Sequence, residues 1–129
     1  MVRNSNDNTH VSISEEDFLR KIEKMYSEHT VINIDQHMEP DFRYSSFWVL
    51  DEMTSAREYV DYITGKVETL KENNVVIKTR MMHIRDSGKP CLVLGLKPDA
   101  ETPGLLVERS ANGLIARMDM MPAGFYKLV

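Results

Sequence analysis

Leu105-Leu106-Val107-Glu108-Arg109-Ser110-Ala111-Asn112-Gly113-Leu114-Ile115-Ala116-Arg117-Met118-Asp119-Met120-Met121 decides the fold of this chain. Two runs of strand chemistry flank Asn112-Gly113, a pair that tolerates the positive φ a tight hairpin needs, so Leu105 to Arg109 and Leu114 to Met121 are predicted to pair antiparallel. Working outward, Val75 to Asp86 and Cys91 to Lys97 are two further strand runs. Ser87-Gly88-Lys89-Pro90 and the Pro98 to Gly104 loop separate them from their neighbours. Four strands in sequence with short connections predict an antiparallel meander.

The chain ahead of the meander is helical in pattern. Ser14 with Asp17 resembles a capping box, and Ile13 with Phe18 takes the positions of a hydrophobic staple. A helix therefore starts at Ser14, with Phe18, Leu19, Ile22, Met25, Tyr26 and His29 along one stripe. Val31 to Met38 is expected to add a short second helix, and Glu39-Pro40-Asp41 a turn. Phe42 to Leu50, rich in aromatic and β-branched residues, reads as a strand, or as two short strands kinked at Ser45-Ser46. Thr54 or Ser55 caps a longer helix with Ala56, Tyr59, Val60, Ile63, Val67 and Leu70 on its buried stripe, stopped by Asn73-Asn74. Helices followed by strands predict an α+β domain with the helices on one face of a bent antiparallel sheet. Residues 1–12 are expected to be a disordered polar tail and residues 13–129 a single domain, the size usual for one core.

Composition narrows the function. A net charge of -4 argues against a nucleic-acid partner, and no apolar run is long enough to cross a bilayer. Cys91 is alone, so no intrachain disulfide forms, which points to a reducing, cytoplasmic setting. No cofactor motif is present. His29 and His37 flank Asp35, but a spacing of eight fits no helical chelate, so no metal is expected.

The helix entering Met38-Glu39-Pro40-Asp41-Phe42-Arg43-Tyr44-Ser45-Ser46, the Ala56 to Leu70 helix, the Val93 to Leu96 strand and the closing Asn112-Gly113-Leu114-Ile115-Ala116-Arg117-Met118-Asp119 together resemble the nuclear transport factor 2-like superfamily, and within it the small bacterial SnoaL-like proteins. The resemblance implies a strongly curved antiparallel sheet wrapped on the helices into a cone (the cystatin-like fold), a pocket at its open end for a small amphipathic or apolar molecule, and homodimerisation through the sheet's outer face. It leaves two further functions open: a cyclase, isomerase or dehydratase abstracting a proton beside a carbonyl, and a protein-interaction module.

With an inward Ile115, strand alternation carries Arg117 and Asp119 into the cone as a charged pair. Val75, Ile77, Thr79, Met81 and His83 share the more apolar face of their strand, which sets His83 beside the pocket. His83 and Asp119 are thus the candidate catalytic residues, and Tyr26, Tyr44, Trp48, Tyr62 and Arg117 the candidate ligand contacts. Likeness to the ketosteroid isomerases is architectural: Tyr26 could match their helical tyrosine, but Ser45-Ser46 stand where the base would be and Val93 to Leu96 carry no acid.

Overall fold

The computed structural model describes residues 10–47, 51–95, 97–99 and 102–129. Its first helix, α1, spans Glu15–Glu28. The Ser14 hydroxyl accepts from the Asp17 N–H, and His29 closes the helix in the left-handed conformation at φ 50. β1 runs Met38–Ser46 and α2 Ala56–Glu72, the latter capped by the Ser55 hydroxyl on the Glu58 N–H. β2 (Lys78–His83), β3 (Pro90–Gly95), β4 (Gly104–Arg109) and β5 (Ile115–Met121) follow.

The four-strand meander forms as the sequence indicates, with β2–β3, β3–β4 and β4–β5 all antiparallel. The expected all-antiparallel, strongly curved cone does not. The five strands lie in the order β1-β5-β4-β3-β2, and β1 pairs parallel with β5, so the sheet is mixed. It is open, not curled on itself. The parallel pair needs a long crossover, and α2 with β2, β3 and β4 lies between the two strands in the chain.

Three local readings also change. Glu39-Pro40-Asp41, expected as a turn ahead of a strand from Phe42 to Leu50, lies within β1, which starts at Met38 and ends at Ser46. Val31 to Met38 makes only a 3-10 turn at Asp35–His37 before Met38 enters β1, as expected where β-branched Val31 and Ile32 oppose a helix nucleus. The β4–β5 turn is wider than a two-residue hairpin. The Ser110 N–H donates to the Leu114 carbonyl, and of the Asn112-Gly113 pair only Gly113, at φ 83, takes a positive angle.

One face of the sheet carries the main core. Phe18, Leu19, Ile22, Met25 and Tyr26 of α1 and Tyr59, Ile63 and Val67 of α2 pack against Phe42, Tyr44, Leu92, Leu94, Leu105, Val107, Ile115, Met118 and Met120. The opposite, outer face carries a smaller cluster of Met82, Ile84, Cys91, Val93 and Leu106, with Met121 and Leu128 against it. Of the expected tail, residues 1–9 lie outside the described residues, and the Val11 N–H donates to the Gln36 carbonyl.

Candidate functional site

The two helices and β1 meet at a group of tyrosines. Tyr26 comes from the last turns of α1, Tyr44 from β1, and Tyr59 and Tyr62, three apart, from one side of α2. The Tyr44 ring lies 4.9 Å from Tyr59 and 5.9 Å from Tyr62, and Tyr59 is 6.0 Å from Tyr62. These are tilted contacts of the kind aromatic rings favour. Lys66, one turn beyond Tyr62, donates from Nζ to the Tyr62 hydroxyl at 3.4 Å and stands 5.6 Å from the Tyr26 ring centroid and 5.7 Å from that of Tyr62, within cation–π range. Ser46 and Tyr62 both hydrogen-bond the Tyr44 hydroxyl.

Burial and the neighbouring phenols push the Tyr44 hydroxyl up to about 12 and raise those of Tyr26 and Tyr59 as well. All three stay protonated at any physiological pH and present donors. Tyr62 and Lys66 are only half-buried, so this polar patch reaches the surface along α2. A group of hydroxyl donors with one ammonium, set in an apolar core, can receive an acceptor oxygen at the end of an apolar molecule.

Arg117 and Asp119 lie elsewhere. Arg109 pairs with Ile115 and Glu108 with Arg117, so Ala116 is an extra residue, a β-bulge, in β5. The bulge reverses the alternation. Ile115 faces the helices, as expected, but so do Met118 and Met120, and Arg117 and Asp119 turn to the outer face with Leu106 and Met121. There Arg117 Nε and Nη2 donate to the two carboxylate oxygens of Asp119, each at 2.9 Å, and Ser45 Oγ donates to Asp119 at 2.6 Å. Arg117 also meets Glu52 at 2.8 Å, and Arg43 meets the same carboxylate at 2.9 Å. Hydrogen bonds from Arg43 and then Arg117 hold the Glu52 carboxyl below its usual range, and Asp119 and Glu52 raise the Arg117 guanidinium. A groove of about 540 Å³ on this face is lined by Lys89, Leu106, Glu108, Arg117, Asp119, Met121, Phe125 and Tyr126.

His83 faces the helix side of β2, as its strand position implies, but at the rim. Its Nε2 lies 3.1 Å from Glu16 of α1, with the side chain 41% exposed. The structure does not bring His83 and Asp119 together: they sit on opposite faces, with β3 and β4 between their strands. Trp48 lies outside the described residues. His29 is bound to the Val75 carbonyl, and the buried His37 bonds the Val11 carbonyl. Among the described residues no three metal-ligating side chains gather. Sequence reasoning left Lys66 and Ser46 out of the candidate site. The recurrence of Tyr59, Tyr62 and Lys66 at helical spacing on α2 was the signal for Lys66, whereas Ser46 shows only in three dimensions.

The fold defined by these elements recurs in solved structures. A SnoaL-like protein of unknown function from Burkholderia thailandensis superposes with a TM-score of 0.59 at 13% identity, over 85% of this chain and 94% of its own. A nuclear transport factor 2-like protein of unknown function from Cytophaga hutchinsonii gives 0.54 at 11% identity, over 85% and 90%. The epoxide hydrolase/cyclase-like enzyme SalBIII, of pyran ring formation in salinomycin, gives 0.51 at 12% identity, over 88% and 93%. These likenesses show that the chain shares the fold of those structures, and at such identities they show the fold alone. No family model and no curated protein sequence matches the chain.

Proposed function

We propose that residues 13–129 form a small-molecule-binding domain that receives an amphipathic ligand at the Tyr26, Tyr44, Tyr62 and Lys66 patch, polar end toward the hydroxyls and apolar body toward the core. The observation that carries this reading is the convergence of the Tyr26, Tyr44 and Tyr62 rings and the Lys66 ammonium at the edge of a core otherwise built from apolar side chains. A site built to hydrogen-bond an acceptor discriminates for it.

A proton-abstracting enzyme would need a base within reach of a carbonyl held by those hydroxyls. Asp119 is on the other face, with its carboxylate already accepting from Ser45 and Arg117, and the binding reading has no such requirement. Homodimerisation, which the resemblance implies, would use the outer face at β1 and β5, where Arg43, Glu52, Arg117 and Asp119 alternate in sign and suit a twofold contact.

Calorimetric titration with decanoate, as a probe carboxylate, tests the ligand site. The native chain binds it at one saturable site, and a Tyr62→Phe, Lys66→Met double variant loses about tenfold or more in affinity, roughly the worth of one charge-assisted hydrogen bond. Equal affinity in the two proteins would discard the patch as the site.

A further inference from the structure

Both helices bury their apolar stripes on one face of the sheet. Yet Cys91 and Val93, on the other face, are 2% and 0% exposed. What shields this cluster is the chain after β5. Pro122 to Phe125 turns, with the Phe125 N–H donating to the Pro122 carbonyl and Gly124 at φ 76, and the following residues cross the outer face toward the free edge of β2 at its hairpin end. There His83 and Val129 exchange backbone hydrogen bonds at 2.8 Å, and the Arg85 N–H donates to the Lys127 carbonyl at 2.7 Å. Leu128 packs on the cluster, and Phe125 and Tyr126 stand over Cys91 and Gly104 with 57% and 40% of their surface still exposed.

This cover is thin. Among the described residues, three long-range backbone hydrogen bonds and one half-buried leucine anchor eight residues that are otherwise exposed, against the backbone entropy that ordering each of them costs. Segments with few buried apolar contacts and solvent-accessible hydrogen bonds open far more often than the domain unfolds. We propose that residues 122–129 are a strap that opens as a unit while the sheet and helices stay folded, uncovering the outer apolar face and Cys91.

The opening has a consequence for the groove that holds Arg117 and Asp119. Phe125 and Tyr126 form part of its wall, so the groove exists in this shape only while the strap is seated, and any molecule that lies against those rings holds the strap closed.

Cys91 is a built-in reporter, because thiol–disulfide exchange needs a thiolate. Burial pushes its thiol up to about 11 and shields it, and opening returns it to the ordinary range near 8.5. The test is the rate at which dithionitrobenzoate labels the full chain at pH 8, followed from zero urea to the unfolding midpoint. Strap opening predicts labelling at zero urea much faster than global unfolding allows, and nearly independent of urea at low concentration, because little surface is exposed. Leu128→Ala should raise that rate about tenfold with the far-ultraviolet dichroism unchanged. Ile22→Val, which weakens the other core cluster, should leave it unchanged. A wild-type rate whose urea dependence matches global unfolding at every concentration would overturn the strap, as would Leu128→Ala labelling at the wild-type rate.

Discussion

Raising the pH should dismantle the tyrosine cluster and the fold with it. Tyr44 holds its proton to about 12 in the folded chain against 10.0 as the ordinary value, and burial is the first cause. The folded chain therefore binds this proton more tightly than the unfolded one. Its contribution is whole below pH 10, falls as pH rises, and is gone by pH 12. Two units correspond to about 3 kcal/mol. Tyr26 and Tyr59 shift in the same direction for the same reason, so their ionisation adds to a loss that is already a large part of a domain's marginal stability. Tyrosinate absorbance at 295 nm, recorded with far-ultraviolet dichroism between pH 8 and pH 13, reads both events. Tyr26, Tyr44 and Tyr59 should ionise together with the loss of dichroism, in a cooperative step above pH 11. Smooth ionisation of all five tyrosines near pH 10 with the dichroism intact would refute the buried cluster.

Further outcomes follow from single contacts. A Cβ at Gly104 would overlap the Cys91 sulfur across the β3–β4 pair, so Gly104→Ala should lower the unfolding free energy by about 1–3 kcal/mol in urea titration. Ser14→Ala removes the α1 cap and should cost about 1 kcal/mol by the same measure. Asp119→Asn leaves Arg117 paired with Glu52 on a half-exposed surface, and its unfolding midpoint should imply a change of less than about 1 kcal/mol.

The helix caps at Ser14 and Ser55, the Asn73-Asn74 stop and the order of the four-strand meander were readable because each depends on a few neighbouring residues. The parallel seat of β1 beside β5 was not, since it joins segments some seventy residues apart and no local pattern encodes which edge the first strand takes. The assignment of Arg117 and Asp119 to the helix side failed on one residue. A strand's alternation fixes its faces only while the register is unbroken, and the bulge at Ala116 reverses it just before the charged pair. Tyr26, Tyr44 and Tyr62 were chosen from side-chain type alone, and the structure brings their rings near one another. His83 was put on the correct face of β2 and still lies at the rim, because alternation says nothing of depth.

The five tyrosines allow the central claim to be tested in one spectrum. Four of them form the cluster between the helices and β1, and the fifth, Tyr126, lines the groove on the opposite face. With the tyrosine ring carbons isotopically labelled, titration with decanoate should shift the signals of Tyr26, Tyr44 and Tyr62 in a saturable manner and leave Tyr126 in place. A shift confined to Tyr126, or none at all, would contradict binding at the tyrosine patch.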